Sequence, residues 1–222
     1  DYFRSHCSLW DEKNLGPGDT FFNFDDVKPG DRGVNVISLH PDSNPAWACL
    51  STVNEKDLEN TNIEPEQSAG DMSMPQGELS PFLKVFAWWD TDADGRYDAG
   101  ERAIGTTDFG SLGTLALADA ATIGGALPGG AVSYLGLFWC AGTLTPPIAG
   151  NAFLCDGEGM GNVAQTDSYT ADISFYALQE RGNERFSCAD VNKLKKEEPK
   201  QDEKKKEESK KVDNRKEGER RR

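Results

Sequence analysis

Residues 90 to 101 read Asp-Thr-Asp-Ala-Asp-Gly-Arg-Tyr-Asp-Ala-Gly-Glu, which sets oxygen donors at the spacing of a twelve-position calcium loop. Ca²⁺ is a hard cation that takes about six to eight oxygens, so a binding loop must bring several carboxylates and a carbonyl to one point. Asp90, Asp92 and Asp94 fall at positions 1, 3 and 5, Gly95 at 6 permits the sharp turn, and the Arg96 carbonyl falls at 7. Asp98 stands at 9, where contact is often through water, and Glu101 at 12 can bind with both oxygens. The expected site is therefore Ca²⁺ held by Asp90, Asp92, Asp94, Arg96, Asp98 and Glu101; the bland alternative is an acidic glycine turn in solvent.

The elements that must position this loop are strands. Phe82-Leu-Lys-Val-Phe-Ala-Trp-Trp89 is an apolar, aromatic run too short to favour a helix, so a strand feeds the loop. A calcium sensor needs a helix pair that opens on binding. The context points instead to a single structural site.

Further β-rich runs lie near 20–26, 33–39, 46–53, 112–117, 131–140 and 168–179, separated by Gly, Pro and Asp clusters. Many short strands without a sustained helical period predict an all-β fold, an antiparallel sandwich. The Asn- and Glu-rich stretch 54–80 reads as an elaborated surface loop, with room for a short helix within Asp57 to Glu66.

Composition divides the chain into an N-terminal extension (1–17), a β-sandwich domain (18–189) and a charged low-complexity tail (190–222). The tail carries 14 Lys and Arg against 10 Asp and Glu and has Val191, Leu194 and Val212 as its only large aliphatics, so it cannot bury enough surface to offset its ordering entropy. Disorder or a fraying helix is expected there. Without the tail, the chain's 24 basic and 38 acidic residues fall to 10 and 28, a net charge of −18 for 1–189. Such a body disfavours nucleic acid and anionic membranes and favours cations or a basic partner. The tail, net positive and ending in Arg220, Arg221 and Arg222, reads as a solvated spacer or as a tether to an anionic surface or a neighbour's acidic body.

Cys7, Cys49, Cys140, Cys155 and Cys188 show no CxxC pair, and with only His6 and His40 present there is no zinc spacing. Cys140 ends an aromatic strand and Cys155 follows a short Pro-containing segment, which suits a disulfide closing a small loop. Cys49 and Cys188, each placed late in a strand segment, could pair across the sandwich. That would leave Cys7 free or joining two chains. Spacing does not fix the connectivity, and five buried thiols remain the alternative. An oxidising compartment is the expectation. No apolar run reaches the roughly 18 to 20 residues of a membrane span, and Asp1-Tyr-Phe-Arg-Ser-His6 lacks the pattern of a signal peptide.

Asp26-Val-Lys-Pro-Gly-Asp31, Leu135-Gly-Leu-Phe-Trp-Cys-Ala-Gly142 and Gln165-Thr-Asp-Ser-Tyr-Thr-Ala-Asp-Ile-Ser-Phe-Tyr-Ala-Leu-Gln179 resemble segments of the TasA/camelysin family of secreted, fibre-forming proteins. The likeness spans roughly residues 18 to 188. It implies a jelly-roll sandwich, export through a dedicated signal peptidase, and assembly into fibres or pili by strand exchange between copies of the chain. The opening Asp1-Tyr-Phe-Arg-Ser-His-Cys-Ser-Leu-Trp10 and the charged tail depart from the family's pattern. Tyr2, Phe3, Leu9 and Trp10 nevertheless compose an apolar segment suited to a donor strand.

Camelysin-like proteins have been labelled metallopeptidases, but no HExxH pair and no GxSxG elbow occurs here, and His6 and His40 are 34 residues apart. The expectation is a non-enzyme: a secreted or cell-surface structural subunit of a filament, pilus or matrix fibre, stabilised by calcium. The alternative is a monomeric calcium-dependent module that presents Trp88, Trp89 or Trp139 to carbohydrate or protein.

Overall fold

The computed structural model describes residues 11–16, 19, 27–145 and 147–191. The strand expected at 20–26, Cys7, the apolar segment 1–10 and the tail beyond 191 lie outside the described residues.

Two antiparallel sheets form an all-β sandwich. In chain order the strands are β1 (Arg32–Leu39), β2 (Ala46–Leu58), β3 (Leu83–Trp89), β4 (Arg102–Asp108), β5 (Thr114–Ala118), β6 (Ser133–Ala141), β7 (Thr143–Thr145), β8 (Leu154–Asp156) and β9 (Ser168–Gln179). One sheet runs β1-β6-β3-β4, the other β5-β2-β9, and β7 and β8 make a small separate pair. Six of the expected runs are β1, β2, β3, β5, β6 and β9. Three strands were not legible. Of these β4, with Ile104 as its only large aliphatic, stands at a sheet edge where β3 is its one partner among the described residues.

Alternation along β3 and β6 sorts the core. Ala87, Trp89, Leu135 and Leu137 face the other sheet and pack with Trp47, Leu50 and Leu117. Phe86, Trp88, Phe138 and Cys140 point to the opposite face, where Leu144, Tyr97 and Phe153 cover them. The central strands β3 and β6 are thus buried on both faces, which is why they read as continuous apolar runs rather than alternating ones. Tyr97 belongs to the acidic loop after β3, so covering the second face also seats that loop.

Two cystine bridges join Cys140 to Cys155 and Cys49 to Cys188. The second differs from expectation in its geometry. Cys188 opens a short 3₁₀ turn (Cys188–Asp190) beyond β9, so the bridge ties β2 to the returning segment rather than one strand to another. That segment is held again where Trp47 Nε1–H donates to the Asn183 carbonyl at 2.8 Å and where the Cys188 amide donates to Asp119 at 3.0 Å.

The surface-loop reading of 54–80 needs correction. Residues 54–58 continue β2 against β9, and a helix, α1 (Glu64–Ala69), follows, shifted toward the C-terminus from the expected span. Glu59, Glu66 and Asp71 are buried. Backbone pairing draws the excursion inward: the Glu59 amide donates to the Pro75 carbonyl at 3.0 Å, and Leu58 bridges Gln76.

Candidate metal centre

The loop 90–101 is the connection between neighbouring antiparallel strands β3 and β4, so a hairpin and not a helix pair presents it. Its first residue is locked in place. Asp90 follows Trp89 directly, is only 1 % exposed, and its amide donates to the Tyr134 carbonyl on β6 at 3.0 Å. The turn then curls around the Asp90 carboxylate, which accepts the amides of Asp94 at 3.2 Å and Gly95 at 2.9 Å. Gly95 has a φ of 76°, a left-handed conformation that glycine adopts without penalty. A Cβ at Gly95 would lie 3.2 Å from Val34 Cγ1, so the tip of the loop also rests on β1.

Asp90, Asp92 and Asp94 each offer a carboxylate oxygen within 4.8 Å of the other two. Asp92 and Asp94 are exposed, so this is a cluster with one buried anchor and two solvent-facing arms. Glu101 takes a different position. It accepts the Thr91 amide at 2.5 Å and the Asp98 amide at 2.9 Å, clasping the two ends of the loop together. Arg96 is exposed, its amide donating to Asp94 at 2.8 Å. The first three expected ligands therefore meet, whereas Asp98 and Glu101 stand outside their triad and serve its closure.

Electrostatics favour a cation here. Burial pushes the Asp90 carboxyl above the ordinary range, the Gly95 amide opposes that shift, and the negative charge of Glu101 adds to it. An all-oxygen donor set suits a hard metal ion rather than zinc or copper.

A second acidic cluster was missed because its members are scattered through the sequence. Glu59, Asp71 and Glu78 bring oxygens within 4.8 Å of one another, and so do Glu59, Glu66 and Asp167. Burial pushes the Asp167 carboxyl up to about 7, against the pull of the Glu78 amide, and the charges of Glu59, Glu78 and Asp57 raise it further. Burial likewise raises Glu59, with Glu66 beside it. The one signal in the sequence was the acid density of 54–80, which composition alone assigned to solvent.

Trp88 is fully buried and Trp89 nearly so. Trp88 packs against Phe86 and Phe153, with ring centroids 5.7 and 5.3 Å away. Neither indole is presented to a ligand, contrary to the exposure that the binding-module alternative expected of them.

No helix among the described residues is long and apolar enough to cross a membrane. Compared with known proteins, the chain matches no family profile and no curated sequence.

Proposed function

We propose that this chain is a structural subunit of an extracellular filament, pilus or matrix fibre, a calcium-stabilised sandwich of the jelly-roll kind that the TasA/camelysin resemblance implies. The observation that carries the reading is β9. It is 12 residues long, stands at the edge of its sheet, and has β2 as its only strand partner among the described residues. A long edge must be covered or used, and an added strand uses it: main-chain bonds supply affinity while alternate side chains choose the register.

A further feature supports the proposal. The two cystine bridges suit an oxidising, extracellular setting, where such bonds persist. The loop 90–101 binds Ca²⁺ through Asp90, Asp92 and Asp94, with Arg96, Asp98 and Glu101 completing the set once the ion draws the loop closed. The donated segment is residues 1–10 of a neighbouring copy.

Negative-stain images of the purified full-length chain in calcium test the assembly. Filaments are the expected result, and deletion of residues 1–12 leaves a folded monomer that forms none. A full-length chain that stays monomeric at every concentration and calcium level overturns the filament reading. Filaments from the truncated chain reject only the N-terminal donor.

A further inference from the structure

The pocket beside α1 gathers carboxylates from three separate stretches of chain: Glu59 at the end of β2, Glu66, Asp71 and Glu78 in the excursion that follows, and Asp167 just before β9. Burial makes this costly. Glu59 is 5 % exposed and Glu66 is 0 % exposed, and a buried carboxylate without a counter-charge is strongly disfavoured. Among the described residues no Lys or Arg pairs with any of these groups, and the charges of Glu59, Glu78 and Asp57 that act on Asp167 are negative.

The hydrogen bonds divide these oxygens into held and free. Glu66 is engaged at both, accepting the Ile63 amide at 2.8 Å and the Thr166 amide at 2.9 Å. Asp71 is engaged at both, by the Ser73 amide at 2.8 Å and Asn62 Nδ2 at 3.1 Å. Glu78 and Asp167 are each pinned by one oxygen only: Glu78 Oε1 accepts the Ser73 hydroxyl at 2.6 Å, and Asp167 Oδ2 accepts the Glu78 amide at 2.5 Å. The second oxygens, Glu78 Oε2 and Asp167 Oδ1, are buried without a donor, and so is Glu59 Oε2. One oxygen oriented by the protein and the other left bare is how a metal-binding carboxylate is prepared, because outer hydrogen bonds fix the ligand that the ion then meets.

We propose that this pocket is a second divalent-cation site, with Glu59 as the ligand shared by both acidic triads and Glu78 and Asp167 supplying further oxygens. The ion is a hard one. Carboxylates drawn from irregular segments suit Ca²⁺, which accepts many oxygens in varied geometry, over Mg²⁺, which demands a near-ideal octahedron. The consequence is structural: the cation staples the excursion 59–79 to the segment that leads into β9. The competing arrangement is a proton held between Glu59 and Asp71, whose carboxyls lie close enough to share one. A metal and a proton make opposite predictions for ion stoichiometry.

The test counts Ca²⁺ bound to the full-length chain at neutral pH in 0.15 M salt by equilibrium dialysis, an ionic strength of about that value screening loose surface binding. The loop is first disabled with Asp92→Ala and Asp94→Ala, both exposed and unconnected to the pocket. The wild-type chain is expected to bind two ions and the loop variant one. Adding Glu59→Gln to the loop variant removes that last ion. A loop variant that binds none overturns the proposal in favour of the shared proton, and an ion that survives Glu59→Gln overturns the assignment to this pocket. If Glu59→Gln does not fold, the count on the loop variant still decides, together with limited proteolysis. Calcium should protect 59–79 from cleavage in that variant and chelator should expose it; equal cleavage in both counts against the site. A wild-type chain and a loop variant that each bind one ion would instead reject the loop 90–101 while leaving the pocket standing.

Discussion

Gly136 on β6 lies directly opposite Trp88 on β3, so close that a Cβ on the glycine would stand 2.2 Å from Cε2 of the indole. This contact is where the strand that feeds the acidic loop 90–101 is gripped. Two positions beyond Trp88 stands Asp90, so the packing of the indole fixes the direction in which the buried carboxylate of the loop leaves the sheet.

The glycine contact gives a stability prediction with an internal control. Gly136→Ala forces a buried indole to move and should destabilise by about 1–3 kcal/mol, the usual range for overpacking. Gly105 on β4 has open space around its Cβ direction. There Gly→Ala should be neutral or stabilise by up to about 1 kcal/mol through the unfolded chain. Denaturant melts of the two variants check the contrast, and equal midpoints would mean that Trp88 does not seal this contact.

Calcium should raise the melting temperature of the chain and chelator should lower it. An ion that binds only the folded state adds about 2.7 kcal/mol when free calcium is roughly one hundred times the dissociation constant. Asp92→Ala should abolish the share belonging to 90–101, since it removes one arm of the triad that Asp90 anchors. A thermal melt unchanged by chelator would dispose of both cation sites together.

The two bridges should differ in their contribution. Cys140 and Cys155 are separated by 15 residues and Cys49 and Cys188 by 139. In the chain-entropy picture these closures stabilise by about 3 and about 5 kcal/mol. Paired Cys→Ser variants melted under the same conditions should therefore rank with Cys49/Cys188 the more damaging. Free thiols at all four positions in native material, found by peptide mapping without reductant, would remove the basis for an oxidising compartment.

Asp167 should give the metal-free protein an unusual pH response. Its folded carboxyl is raised to about 7, so it holds a proton that the unfolded chain has lost. That contribution is fully present below the ordinary Asp value of about 4 and disappears as pH rises through about 7. In chelator, wild type should lose stability relative to Asp167→Asn across this window and run parallel to it above. Melts of both from pH 4 to 8 measure the gap, and a constant gap would show that Asp167 titrates as an exposed carboxyl.

Local chemistry was legible from the chain itself. The clustering of Asp90, Asp92 and Asp94 could be read because all three come from one short segment, where spacing brings them together. Six strands could be read because β-branched and aromatic runs between turn residues have few other ways to fold. The pairing of Cys140 with Cys155 was within reach because only a short loop separates them.

Tertiary structure decided what depends on distant segments meeting. Trp88 and Trp89 carry no mark in sequence of whether they meet solvent; Tyr97 and Phe153 cover Trp88 on the second sheet face, and the packing of the two sheets buries Trp89. Strand β4 escaped notice because an edge strand needs little apolar burial and so leaves a weak pattern. Glu59 and Asp167 are more than one hundred residues apart, and nothing in their spacing foretells an encounter. Their approach follows from the antiparallel register of β2 with β9, which pairs Leu58 with Ser168 and so sets the residues flanking that pair side by side. Charge density could be counted in advance, but whether a charge faces water is a property of the whole fold.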